Sequence, residues 1–311
     1  IRERPECARS DTFDVVAEEP SRLDWPALEG ARDERRLRVV EAEEVDLAEP
    51  WPPDLYVHAY LDGVSTRTVE LNRTDTGLSV RVMTASCHED VRLALALARA
   101  ALDRGGGTAG GEDGLDLDAL DDDWVSGYVD SGVLSVCAMA AREEQPLRIP
   151  GPLRTTSIGR RVIDELSAMP EEERVAGFIE VLRRVQWFED ESTFEASPLQ
   201  IAGTTPETPA MVWGPDVRMY FPGYDHLLLE RGGGGPPMVV RVADVPEFAP
   251  SARFLDERAF VIDAIPADEW PALLERAAVF EDGGYLPSLP ASPPPESPSP
   301  QPTDRPWWKF W

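Results

Sequence analysis

The chain has 311 residues, 42% of them hydrophobic, which is enough to build the core of one large domain or of two ordinary ones. Its formal net charge of −28 argues against nucleic-acid binding and against anionic membrane surfaces, because both depend on a surplus of cationic side chains. Lys309 is the only lysine, so a P-loop, which needs a lysine directly after its glycines, is excluded. No apolar run is long enough to span a bilayer.

The first segment of the chain, residues 1–50, is rich in Glu, Arg and Pro. We predict that this segment is loosely structured, because its apolar residues are few and show little periodicity. One short strand is predicted within it, over residues 37–40.

Residues 51–104 carry the clearest pattern in the chain. Aliphatic residues alternate with two tyrosines and His58, which is the period-two pattern of a strand. Asp62 and Gly63 then predict a tight turn, since glycine adopts positive φ without steric cost. Two further alternating runs follow, so a three-stranded antiparallel meander is predicted.

A long helix is predicted directly after the meander. Ser86 and Glu89 have the spacing of a capping box, in which two side chains bond the free backbone N–H groups of the first helical turn. The apolar residues of the helix cover nearly every side, so we expect it to be packed on more than one face. The glycines at residues 105–107 predict its end.

The next part of the chain reads as a loop followed by strands. Residues 105–123 are rich first in Gly and then in Asp, and we predict an exposed loop or hinge, at which a domain boundary is placed. Residues 124–129 and 133–140 are predicted to form a β-hairpin around a turn, because apolar residues alternate along its second half.

The rest of residues 124–285 mixes helices and strands. Two helices are predicted over residues 158–169 and from residue 171 onwards, and the second has three glutamates in its first turn. A last helix is predicted over residues 268–279. Five short strands are predicted between the helices, over residues 211–213, 217–221, 226–230, 238–242 and 259–265. This order predicts an α+β fold, with antiparallel sheets and a few packed helices, in which residues 124–285 pack on residues 51–104.

The C-terminal segment, residues 286–311, differs in character. Nine of the 30 prolines lie between Pro287 and Pro306, and Pro-rich segments of this kind stay extended and bury little surface, so a disordered tail is predicted. Its four large aromatic side chains would each gain about 1.5–3 kcal/mol from burial. We predict that a partner protein covers the end of the tail, which consists of Trp307, Trp308, Lys309, Phe310 and Trp311. Two alternatives are folding back onto the chain's own domain and insertion into a membrane interface.

Reactive side chains are sparse. The three cysteines and three histidines do not have the spacing of a metal site, so no metal, cofactor or catalytic residue is predicted. Cys87 lies at the start of the predicted helix, where the helix dipole lowers a thiol's pKa. Adjacent Cys87 and His88 point in different directions, however, so a hydrolytic site needs Cys87 to meet His58 or His226 in a pocket.

The sequence therefore predicts a cytoplasmic, non-catalytic protein that acts through protein-protein interaction, with the tail as its most specific contact. The odd number of widely spaced cysteines favours a reducing compartment. One alternative is an acidic immunity or inhibitor protein that occludes a basic toxin or nuclease, whose association weakens steeply with salt, whereas docking through the tail depends little on salt. A second alternative is a hydrolytic enzyme that uses Cys87 or His226.

Overall fold

The computed structural model of the protein describes residues 11–19, 37–40, 52, 55–111, 116–188, 193–195, 199–201, 208–232 and 235–282. The chain divides into two compact units, each built from separate pieces of sequence. Unit 1 comprises Ile1–Glu195, Val217–Tyr224 and Ser251–Ala264, and unit 2 comprises Ala196–Asp216, Asp225–Pro250 and Ile265–Trp311. The predicted boundary at residues 105–123 thus lies inside unit 1.

The described residues contain strands and helices in mixed order. The strands are β1 (Asp11–Val16), β2 (Leu37–Val40), β3 (Tyr56–Leu61), β4 (Val69–Thr74), β5 (Gly77–Val82), β6 (Thr108–Gly111), β7 (Leu147–Pro150), β8 (Thr155–Ile158), β9 (Phe194–Glu195), β10 (Leu199–Ile201), β11 (Thr208–Trp213), β12 (Met219–Phe221), β13 (His226–Leu229), β14 (Met238–Arg241), β15 (Arg253–Phe254) and β16 (Phe260–Ile262). The α-helices are α1 (His88–Gly105), α2 (Asp122–Ala140), α3 (Arg160–Ser167), α4 (Arg174–Gln186), α5 (Val245–Phe248) and α6 (Trp270–Ala277). The predicted α+β fold is confirmed.

Unit 1 is organised around an antiparallel sheet with the strand order β2-β3-β4-β5-β1-β6. Its β3-β4-β5 part is the predicted meander, and β2 is the strand predicted over residues 37–40. Strand β1 was not predicted from the sequence, and it pairs with both β5 and β6, so it is an interior strand. Only Phe13 and Val15 of β1 point into the core, which is too short an alternation to recognise in a charged segment.

The long helix predicted after the meander is α1, but its cap differs from the prediction. The N-cap is Cys87 and not Ser86, and the acidic partner in the capping box is Asp90 and not Glu89. The buried Asp90 carboxylate bonds the loop before β4 as well as the helix end, so a tertiary contact decides the position of the cap. The helix packs on β1, β5 and α2, as its broad apolar surface predicts.

The predicted hairpin over residues 124–140 is wrong, because these residues form α2. Asp121 caps the helix, since its carboxylate accepts a hydrogen bond of 3.0 Å from the backbone N–H of Trp124. The buried residues follow helical spacing rather than alternation, and they are Val125, Val129, Gly132, Val133, Val136 and Ala140. The predicted hairpin would place Leu134 and Val136 on the same face of a strand, but Val136 is buried whereas Leu134 is 58% exposed.

The remainder of unit 1 supplies the elements that surround the site. The two helices predicted over the middle of the chain are confirmed as α3 and α4, which pack on each other and on β8. Strands β7 and β8 form a hairpin, and a further sheet has the order β15-β16-β12-β9. In that sheet β15 lies at one edge.

Unit 2 contains a sheet with the order β10-β11-β13-β14, in which β11 and β13 are parallel. The predicted last helix is α6. Trp270 of α6 packs edge-on against Trp213, with ring centroids 5.0 Å apart, and its indole N–H donates to the Glu230 carbonyl over 2.7 Å. None of the helices in the described part of the chain is both long and apolar enough to cross a membrane.

Candidate functional site

Unit 1 contains an open cleft of about 590 Å³, a volume within the range of ligand and peptide sites. The end of α4, the edge strand β15 and Gly63 in the loop between β3 and β4 form its walls. Three arginines and three aromatic residues line it, and we call this site the arginine-aromatic cleft. These residues are Arg183, Arg184, Trp187, Phe188, Arg253 and Phe254.

Arg184 is the structural arginine of the cleft. Its guanidinium makes two hydrogen bonds of 2.7 and 2.8 Å to the Glu165 carboxylate, and its Nε–H donates to the Leu255 carbonyl over 2.6 Å. The hydrogen bonds from Arg184 lower the pKa of Glu165. Because Glu165 matches its charge and three of its five N–H donors are used, Arg184 joins α3, α4 and the residue directly after β15 rather than offering a cation to a ligand.

Arg183 and Arg253 are the other two cations of the cleft. The carboxylates of Glu89 and Glu180 each lie 3.8 Å from Arg183, whose side chain is 35% exposed. The exposed Arg253 side chain forms no ion pair with any residue that the structure describes. Arg253 is therefore the cation of the cleft that no described carboxylate offsets, whereas Arg183 keeps N–H donors but lies between two carboxylates, one of which, Glu180, also lines the cleft.

Trp187 is held in place from the β3–β4 side. It follows the last residue of α4, and its indole N–H donates a hydrogen bond of 2.8 Å to the carbonyl of Ser65. Its ring also lies 6.2 Å from the ring of Tyr60 in β3. These contacts fix the indole, so binding a ligand against it would lose little side-chain entropy.

The two phenylalanines of the cleft are fixed by rings and cations behind them. Phe188 stacks on Tyr220 with centroids 4.6 Å apart, and the guanidinium of Arg154 lies 4.4 Å from the centre of the Phe188 ring. The guanidinium of Arg161 lies 3.6 Å from the centre of the Phe254 ring. Each such cation–π contact contributes about 0.5–2 kcal/mol. The aromatic walls of the cleft are consequently well ordered.

Two buried polar side chains hold the segments around these rings. The Gln186 amide oxygen accepts hydrogen bonds from the backbone N–H groups of Leu153 (3.0 Å) and Arg154 (2.9 Å). The Asp256 carboxylate accepts one from Ser157 over 2.7 Å, next to the cleft-lining Leu255. Because both side chains are almost fully buried, they act as structural links and not as groups for a ligand.

The residues considered for catalysis are placed apart from this cleft. Cys87 is fully buried at the N-cap of α1, and burial raises the pKa of its thiol, which opposes formation of a thiolate. His58 lies in β3, where its Nδ1 is 2.9 Å from the hydroxyl oxygen of Thr68. His226 belongs to unit 2, where its Nε2 lies 3.9 Å from the Asp282 carboxylate. Within the described ranges, no three His, Cys, Asp or Glu side chains are grouped so that they could hold a metal ion.

The predicted partner-binding residues Trp307, Trp308, Lys309, Phe310 and Trp311 lie outside the described residues. Sequence reasoning missed the arginine-aromatic cleft, although two short patterns point to it. Arg183 and Arg184 are followed closely by Trp187 and Phe188, and Arg253 directly precedes Phe254. In a strongly acidic chain, arginines next to aromatic residues are the sequence pattern that could have indicated this cleft.

The acidic residues 189–191 follow Phe188 directly and lie outside the described residues.

Comparisons of the chain with protein-family models, curated proteins and solved structures gave no match. The functional interpretation therefore rests on the geometry and the charge of the cleft.

Proposed function

We propose that this protein is a non-catalytic, cytoplasmic protein-interaction protein, and that the arginine-aromatic cleft is one of its contact sites. The observation that carries the proposal is Arg253, an exposed cation without an ion pair among the described residues, in a chain with a net charge of −28. It lies beside the fixed rings of Phe254 and Trp187. Arginine and aromatic side chains are enriched in the central residues of protein interfaces, so this combination favours a contact surface.

The state of the thiols supports a binding role in a reducing compartment. Cys87 and Cys137 are both free, and burial raises the pKa of Cys137 to about 11. Neither thiol is therefore activated for nucleophilic attack at neutral pH. Reduced, unreactive thiols are what a cytoplasmic binding protein is expected to have.

The proposal is tested by affinity capture with the immobilised full chain and with two charge-reversal variants. Arg253→Glu reverses the cation in the cleft, whereas Arg142→Glu makes the same charge change at an exposed position just after α2. We expect a partner protein to be retained by the wild-type chain and by R142E but lost with R253E. Retention by all three proteins alike would contradict a role for the cleft.

The tail remains a second proposed contact, carried over from the sequence. Replacing Trp307, Trp308, Phe310 and Trp311 together by Ser is expected to abolish retention of a partner and to leave the melting temperature unchanged, because side chains that serve a contact with a partner add nothing to the folding of their own chain. The matched control replaces Pro293, Pro294, Pro295 and Pro298 by Ser. A large fall in the melting temperature with the aromatic substitutions would instead show that the tail folds back on its own chain.

A further inference from the structure

We infer that the arginine-aromatic cleft binds an extended segment of a partner protein in which one or two carboxylates stand beside an aromatic side chain. The inference rests on the proposed function and deepens it, because it states the chemistry of the partner at the same site. Two features of the cleft carry it, its available guanidinium groups and its fixed aromatic walls.

The available guanidinium groups select for carboxylates. A guanidinium presents donors in a planar fork that matches the two oxygens of a carboxylate. Arg253 has no ion pair among the described residues, and the carboxylates near Arg183 lie at 3.8 Å, too far for short, direct hydrogen bonds. An incoming carboxylate would therefore find a guanidinium without a described counter-charge at Arg253, and further N–H donors at Arg183, whose charge is already offset by Glu89 and Glu180.

The aromatic walls select for a ring beside the acid. Trp187, Phe188 and Phe254 line the same cleft as the two available cations, and all three are half-buried rather than covered. A partner ring can pack against them with an offset or edge-to-face arrangement, which adds about 0.5–1.5 kcal/mol to the burial of apolar area. A segment that carries acids without a ring would leave these faces exposed to water.

The shape of the cleft favours an extended segment. The cleft is open to solvent, and its lining includes β15, which is the outermost of the described strands in its sheet. Extended peptides commonly bind beside such edge strands. The lining also includes Gly63, which has a φ of 72° and carries no side chain to block the approach of a backbone.

The charge of the whole chain restricts the ligand to few negative charges. With a net charge of −28, the protein repels a polyanion such as a nucleic acid. At physiological salt this repulsion is screened beyond about 8 Å, so one or two carboxylates in direct contact with the arginines are still attracted. The site therefore suits a short acidic and aromatic sequence rather than a long anionic polymer.

The test is calorimetric titration of the full chain with the synthetic peptide acetyl-Ser-Asp-Phe-Glu-Ser-amide, which carries two carboxylates beside one ring. We expect at least about tenfold weaker binding when the acids are replaced by their amides, and a similar loss when Phe is replaced by Ser. R253E and Arg183→Gln should each weaken binding of the parent peptide, whereas R142E should not. Thermal melting of each variant identifies any that fails to fold.

Three outcomes would overturn the inference. These are equal binding of the amide peptide, equal effects of R253E and R142E, and tighter binding of a short single-stranded oligothymidylate than of the peptide. If the peptide fails while capture of a partner still depends on Arg253, the inference about partner chemistry is wrong but the proposed function stands. If capture also ignores Arg253, the proposed function is wrong for the cleft.

Discussion

Replacing Asp90 by Ala is expected to lower the free energy of unfolding by about 3–5 kcal/mol. The Asp90 side chain is fully buried, and its Oδ2 accepts hydrogen bonds from the backbone N–H groups of Thr66 (3.1 Å), Arg67 (3.0 Å) and Cys87 (3.2 Å). The Thr66 hydroxyl donates a fourth, over 3.0 Å. Alanine would leave the buried N–H groups of Thr66 and Arg67 without an acceptor, whereas the Cys87 N–H would keep its hydrogen bond of 3.0 Å to the Thr66 hydroxyl oxygen. Urea denaturation followed by circular dichroism measures the loss.

Two matched variants separate this effect from a general loss of acidic charge. Asp90→Asn keeps one acceptor oxygen, so it should destabilise the protein less than Asp90→Ala. Asp130→Ala removes an exposed carboxylate from α2 and should change stability by no more than about 0.5 kcal/mol. Equal losses with Asp90→Ala and Asp130→Ala would contradict the buried network.

The pH dependence of the Asp90 variants has a definite sign. Burial raises the pKa of Asp90 in the folded protein above its unfolded value of about 3.9. The folded state therefore favours the protonated acid, and this contribution to stability is lost as the pH rises through the folded pKa. Since asparagine does not titrate, the stability difference should move in favour of Asp90→Asn as the pH rises. A difference that is constant with pH would contradict the raised pKa.

The Asp90 network also supports one wall of the cleft. It holds Thr66 and Arg67, and the neighbouring Ser65 carbonyl accepts the indole N–H of Trp187. A substitution at the start of α1 should therefore alter the position of Trp187, because the loop between β3 and β4 connects the two.

Gly77→Ala is expected to cost at least about 3 kcal/mol, because it inserts a Cβ atom between two paired strands. A Cβ at Gly77 would lie 1.7 Å from the carbonyl oxygen of Val15 and 2.8 Å from its carbonyl carbon. These are backbone atoms of β1, so the clash can be relieved only by moving β1 away from β5. The loss is measured by urea denaturation.

Gly127→Ala is the matched control for Gly77→Ala. Gly127 lies on the exposed side of α2, and a Cβ there would meet no atom within 4 Å. Alanine should stabilise the helix by about 0.5–1 kcal/mol, since glycine loses more backbone entropy on folding. If both substitutions were tolerated equally, the pairing of β1 with β5, and with it the interior position of β1, would be wrong.

The elements predicted correctly are those whose signals are local and strong. The meander and α1 were recognisable because a clear alternation is followed by helical spacing and terminal glycines. The α2 sequence was misread because two glycines and several small residues weaken its helical pattern, while alternation around Val136 imitates a strand. The N-cap of α1 lies one residue later than predicted because Asp90 accepts hydrogen bonds from a distant loop, which local residue spacing does not reveal.

The cleft was beyond sequence reasoning for a different reason. It joins a glycine in the β3–β4 loop, the end of α4 and the short strand β15, which are far apart along the chain. Composition reveals neither the pairing of Arg184 with Glu165 nor the lack of an ion pair for Arg253 among the described residues, because the chain holds 58 acidic residues. The net charge describes the whole chain and does not show that several arginines line one cleft.

Hydrogen exchange of the full chain, with and without the captured partner, is the most direct test of a contact at the arginine-aromatic cleft. We expect slower exchange in the peptide segments over residues 183–188 and 253–255 when the partner binds, because their backbone amides lie at the walls of the cleft. Exchange in β1 and β5, which pack on α1, should not change. Protection confined to other segments, with residues 183–188 and 253–255 unaffected, would contradict the assignment of the cleft as a binding site.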